Sequence, residues 1–235
     1  MKKKAMICVS SVLYMVSILM IMLYFFMEFS HSIALSPLGR MVILLLSCLL
    51  MYFGGILISQ NIEEKYKEIP LKINIWIWFL LYMILIFTLT LFDSYFNRGN
   101  IKFQFNFEVL KNYFATSCNI IPFQTILKYV LGFMNGNIAP YIFVYNIFGN
   151  IVAFMPFAFF LPLLLKKQNK FRNFFITMIE IVGVIEILQF ITLNGSCDID
   201  DLILNVSGAC MMFGILHIHA INRIIHHMFL REDIE

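Results

Sequence analysis

Glu180, Glu186, Asp198, Asp200 and Asp201, with the amides Asn146, Asn150, Gln189 and Asn205, are set among long stretches of Leu, Ile, Val and Phe. Such groups can hydrogen-bond a polar ligand. Their carboxylates can also supply hard oxygen ligands to a divalent cation, which can in turn hold a pyrophosphate. The blander use is to cross-link helices by hydrogen bonds worth about 0.6–2 kcal/mol each. Spacing narrows the choice. Glu186 and Gln189 are i, i+3 neighbours and share a helix face. Asp201, Asn205, Gly208 and Met212 follow one another at steps of four, three and four, a single stripe in which Gly208 lets another helix come close. Asn146, Gly149, Asn150 and Ala153 make a third face, small and polar. Helix cross-linking accounts well for Asn146 and Asn205 taken singly. It accounts poorly for Glu186 with Gln189 and for the Asp198–Asp201 cluster, because converging acids raise each other's pKa. Asp198 and Asp200 also suit the positive end of a helix.

The elements that must position these residues follow from the charge distribution. Of 235 residues, 61% are hydrophobic and 13% charged, against roughly 25% charged in a typical soluble domain. Uncharged runs cover 5–27, 41–59, 73–92 and the whole interval between Lys128 and Lys166, each long enough for the ~20 residues a membrane span needs. Six spans are expected, at roughly 5–27, 38–59, 73–92, 141–165, 174–193 and 202–221. The first is read as uncleaved, since a signal h-region is only about 7–15 residues long. The expected fold is an all-α, polytopic transmembrane helical bundle. Residues 1–92 form three N-terminal spans, and residues 93–235 form an outer loop, three spans and a short cytoplasmic tail. Basic loops stay in the cytoplasm. With the N-terminus inside, that side receives Lys2, Lys3, Lys4, Lys65, Lys67, Lys72, Lys166, Lys167, Lys170, Arg172, Arg223 and Arg231, and the other side only Arg40, Arg98, Lys102, Lys111 and Lys128. The expected location is therefore the cell membrane, multi-pass, with both termini cytoplasmic. In this frame all three stripes put their polar groups in the outer half of the bilayer, where one outward-opening pocket would collect them. The segment between spans three and four is rich in Phe (Phe103, Phe105, Phe107, Phe114, Phe123, Phe133) and is expected to be partly embedded in the outer leaflet. Cys8, Cys48 and Cys210 fall in spans as small apolar fillers. Cys118 and Cys197 fall in loops on one side, where both free thiols and a disulfide stay open.

The same residues carry a family resemblance. Asn119-Ile-Ile-Pro122-Phe123-Gln-Thr125-Ile126 resembles the VanZ-like element N-[LI]-I-P-F-x-[ST]-I. Asn146-Ile-Phe-Gly149-Asn150-Ile-Val-Ala-Phe154-Met-Pro156, with Leu161-Pro162 after it, is similar to N-x-x-G-N-x-x-x-F-x-P. Glu186-Ile-Leu-Gln189 followed by Asp198-Ile-Asp200-Asp201 and Asn205 to Gly208 resembles E-x-x-Q…D-x-D-D-x-x-x-N-x-x-G. Many relatives place an arginine just before the first element and another just before the aspartates, where this chain has Ser117-Cys118 and Gly195-Ser196-Cys197. The resemblance spans 119–214 and covers the first three spans poorly. It implies a glycopeptide (teicoplanin-type) resistance membrane protein with no established reaction.

Two classes of function follow. The first is a non-enzymatic membrane factor that lowers susceptibility to lipophilic glycopeptides through the outward pocket, with Asn119, Pro122, Asn146, Asn150, Glu186, Gln189, Asp198, Asp201 and Asn205 as its residues. It needs no cofactor. The alternative is an enzyme on a lipid-linked cell-wall precursor, with a divalent cation held by Glu186, Asp198 and Asp201; no catalytic residue can be assigned. Partners are membrane lipids and either the precursor lipid or the antibiotic. The short basic clusters beside spans are topology signals and exclude nucleic acid as the partner. His217, His219, His226, His227 and the Glu63-Glu64 pair read as interface and solvated charge.

Overall fold

A computed structural model describes residues 2–29, 36–92, 106–193 and 195–230. Arg98, Lys102, Phe103, Phe105 and Arg231 of the sequence argument lie outside the described residues. Six helical stretches are long and apolar enough to cross a membrane: Lys3–Glu28, Pro37–Ser59, Glu64–Phe92, Pro140–Leu164, Phe171–Thr192 and Ile199–Leu216. The fold is the all-α polytopic bundle expected. Its contacts divide the chain into two compact units, one of Met1–Leu85 with His219–Glu235 and one of Ile86–Ile218.

In the first unit, α1 (Lys2–Phe29) and α2 (Pro37–Ser59) form a helical hairpin whose second arm starts on Ser36, with its hydroxyl on the Gly39 amide and Pro37 in the first turn. The pattern inverts that of a soluble protein. Phe26, Leu38, Leu45 and Met22 are exposed while Ser10, Ser17, Ser47 and Asn74 are buried. Between lipid-facing helices there is no hydrophobic drive to associate, so small residues and hydrogen bonds do the joining. Ser10 Oγ donates to Gly54 O at 2.8 Å and Ser17 Oγ to Ser47 O at 2.9 Å. Asn74 of α3 (Ile69–Phe87) donates to Met51 O at 2.8 Å and accepts from the Tyr14 hydroxyl at 3.0 Å. Arg40 is buried in an ion pair with Glu28 at 3.2 Å.

In the second unit the interval between spans three and four is a folded piece. It holds α4 (Phe107–Ser117), a two-residue strand β1 (Cys118–Asn119) and α5 (Gln124–Met134). Phe107, Phe114, Phe123 and Phe133 are all exposed. The fourth long stretch is broken into α6 (Pro140–Phe143), a π-helical turn at Val144–Gly149, α7 (Asn150–Ala153) and α8 (Phe157–Leu164). Pro156 lacks the amide that would continue α7 into α8, and the chain turns there. Next come α9 (Phe171–Thr192), β2 (Cys197–Asp198) and α10 (Ile199–Leu216). The sixth span stops at Leu216, not at 221, and a turn at His217–Ile218 leads into α11 (His219–Ile225). α10 packs on α7, α8 and α9 around Phe157, Phe174, Met178, Val182 and Ala209. Gly208 makes the α7 contact possible, because a Cβ there would stand 1.9 Å from the Ile151 carbonyl oxygen.

Candidate functional site

The two short strands pair in parallel, with Cys118 opposite Cys197 and Asn119 opposite Asp198. This small ribbon joins the segment before α5 to the segment before α10, and the acidic cluster is built onto it. Asp198 caps α10: its Oδ1 accepts the Asp200 amide at 2.8 Å and the Asn119 side-chain amide at 2.9 Å. Glu186 of α9 accepts the Asp198 backbone amide at 3.0 Å, so a carboxylate within a long helix holds the strand end of the next one. Asn119 also accepts from the Ile121 amide and donates to Thr125 Oγ1, both at 3.0 Å, which shapes the turn through Pro122.

Asp200 is wholly buried and accepts three backbone amides. Its Oδ1 accepts the Phe123 amide, and its Oδ2 accepts the amides of Thr125 at 2.7 Å and Ile126 at 3.0 Å. These are the unsatisfied donors of the first turn of α5. Phe123, at the cap position, has φ 68° and no side-chain oxygen, so the cap comes from another helix. A carboxylate also suits the positive end of the α5 dipole.

Asp201, one residue on, takes the Asn150 amide at 2.5 Å, and Asn150 also donates to Asn146 O at 3.0 Å. Asn146 itself sits in the π turn and donates to Ile142 O at 2.7 Å. Gln189 is buried, donates to Thr90 O at 3.0 Å and leaves its Oε1 without a partner among the described residues. The Asn205 Oδ1 is likewise buried and unpartnered among them.

Beside this network lies a cavity of about 370 Å³ lined by Thr116, Ser117, Asn119, Gln124, Thr125, Lys128, Tyr129, Asn146, Ser196, Asp198 and Asp201. Of the residues singled out in the sequence, Asn119, Asn146, Asp198 and Asp201 reach it. Asn150 and Glu186 stand behind it, each bonded to a lining residue, whereas Pro122, Gln189 and Asn205 do not line it. Sequence reasoning passed over Lys128, Tyr129, Gln124 and the hydroxyls of Thr116, Ser117 and Ser196. The helix start at Gln124 is the signal that would have found the first three, since Gln124 with Lys128 and Thr125 with Tyr129 are i, i+4 pairs on neighbouring rows of α5. Lys128 supplies a cation among the two carboxylates. The Tyr129 hydroxyl has its pKa raised, first by burial and then by the charges of Asp201 and Asp198. The cavity thus offers acceptors on one wall and donors on the α5 wall. A carboxylate metal centre is not assembled: among the described residues no three His, Cys, Asp or Glu side chains are grouped as ligands. Glu186, Asp198, Asp200 and Asp201 are instead engaged by amides.

The VanZ/LLP1 family model matches residues 79–221, more than half of the chain. The chain belongs to the VanZ/LLP1 family. No curated protein and no solved structure matches it. With six long apolar helices, this VanZ/LLP1 member is a multi-pass membrane protein. The matched region contains the ribbon, the cavity and all four acids of the network, while most of the first unit lies outside it.

Proposed function

We propose that this VanZ/LLP1 protein sits in the cell membrane with both termini cytoplasmic and lowers susceptibility to lipophilic glycopeptide antibiotics by binding a polar group in the cavity, which faces outward. Family membership supports the link to glycopeptide resistance, and the Lys and Arg distribution supports the orientation. The observation that carries the reading is the cavity itself, with Asp198 and Asp201 facing Lys128, Gln124 and Tyr129. Its volume of about 370 Å³ is at the small end of ligand sites, which run from about 300 to 1,000 Å³. It accommodates one sugar ring or a dipeptide-sized group, not a whole glycopeptide. The bound group is therefore part of the antibiotic or the head of an envelope lipid that the antibiotic meets. Binding without reaction is favoured over metal-assisted chemistry on a cell-wall precursor, because the carboxylates are held by amides and are not gathered as a ligand set.

The test is drug susceptibility of a deletion strain complemented with variants at matched protein level. Wild type and the exposed-site control Glu63→Gln should restore growth in a lipid-tailed glycopeptide. Asp201→Asn and Lys128→Gln should leave the strain as sensitive as the deletion. Full restoration by both cavity variants would overturn the proposal.

A further inference from the structure

The Cys118–Cys197 pair stands apart from the ligand-facing groups. The two residues are direct partners in the parallel β1–β2 ribbon. Adjacent strands run about 4.7–4.9 Å apart, inside the Cα separation of about 4.4–6.8 Å that a disulfide spans. Both thiols are free and half-buried, and each bears on the other's ionisation. Side chains alternate along a strand. Asn119 and Asp198 line the cavity, as do Ser117 and Ser196, while the two cysteines between them do not. The thiols therefore sit on the back of the ribbon whose front is the cavity wall.

We propose that Cys118 and Cys197 form a reversible disulfide site that staples the cavity wall, fixing the segment before α5 to the segment before α10. The oxidant is an accessible disulfide, either a low-molecular-weight one or that of a dithiol oxidoreductase. One cysteine thiolate attacks it and releases the first thiol. The second cysteine then attacks the mixed disulfide and releases the other. In balance, two protein thiols and one external disulfide give one protein disulfide and two external thiols. The bond lies behind the wall, so it leaves the lining side chains in place, and the redox poise of the compartment sets whether it is closed.

The test uses the full wild-type chain in lipid nanodiscs, reduced and then treated to completion with excess oxidised glutathione at alkaline pH, where the raised thiols ionise, and needs neither a ligand nor a known orientation. Digestion and mass spectrometry should find the Cys118 and Cys197 peptides joined, with two hydrogens lost. Cys118→Ser should leave Cys197 carrying a glutathione adduct instead. Hydrogen exchange across 113–126 and 195–201 should slow on oxidation and recover with reductant. Separate glutathione adducts on both cysteines of the wild type, or two free thiols in Asn169→Cys protein whose added exposed thiol is modified, would overturn the disulfide. A closed bond with unchanged exchange on both segments would overturn the staple.

Discussion

Asp200 shows how one side chain can hold a motif it does not adjoin. Its two oxygens receive three backbone amides from 123–126, and hydrogen bonds to a charged acceptor are worth roughly 1.5–3 kcal/mol each. Asp200→Asn keeps the size but offers one acceptor oxygen, and it turns an NH2 toward backbone N–H groups. We expect a loss on the order of 3 kcal/mol. It should be read as faster hydrogen exchange and proteolysis across 119–134, with the rest of the second unit less affected. Unchanged protection of α5 would show that the cap is not what orders it. Cys197 gives a second prediction at this scale. Burial, followed by the charge of Glu186, raises its thiol pKa to about 11. A raised pKa keeps the thiol protonated at neutral pH, and only the thiolate reacts. Cys118→Ser removes the contributions of Cys118 but leaves those of burial and Glu186, so alkylation of Cys197 in that variant should be slow at pH 7 and still be climbing above pH 8.5. A plateau near pH 8.5 would contradict the raised pKa.

At the scale of elements, Gly208 decides whether α10 can reach α7. The added carbon of Gly208→Ala meets backbone, not a flexible side chain, at 1.9 Å, so the helices must part. Overpacking typically costs about 1–3 kcal/mol, and parting the helices also disturbs the Asn150–Asp201 bond they carry. Gly208→Ala should lower the melting temperature in detergent by several degrees. Gly214→Ala, with nothing within 4 Å of its new carbon, should not. The long helices and the Gly208 contact were legible in the sequence, because uncharged runs and small-residue spacing are local signals. The ribbon was not, since two residues per strand leave no alternation to read. The capping of α5 was not legible either, because its acceptor lies more than seventy residues away. The polar joints of the first three spans were also passed over: Asn74, Ser10 and Ser17 look incidental until the helices that receive their hydrogen bonds are in place.

For the whole molecule, the orientation proposed from Lys and Arg can be checked by single cysteines in a background where all five native ones are replaced by serine. Asn137→Cys, in the exposed turn between α5 and α6, should be labelled by an impermeant maleimide on intact cells. Asn169→Cys, in the exposed turn between α8 and α9, should be labelled only after permeabilisation. The reverse result would place the cavity on the cytoplasmic face and remove the proposed encounter with an external antibiotic.

The cap on α5 also imposes a schedule on synthesis. The amide of Phe123 is made 77 positions before the carboxylate of Asp200 that receives it. At about 5–20 residues per second, the interval is about 4 to 15 s. Throughout it, the amides of Phe123, Thr125 and Ile126 lack the carboxylate that later receives them and rely on water or the translocation machinery. A nascent chain halted before residue 200 should accordingly expose 119–134 to protease, and one halted well past the end of α10 should protect it. Completion of the last span would then act as the event that finishes a segment threaded out much earlier.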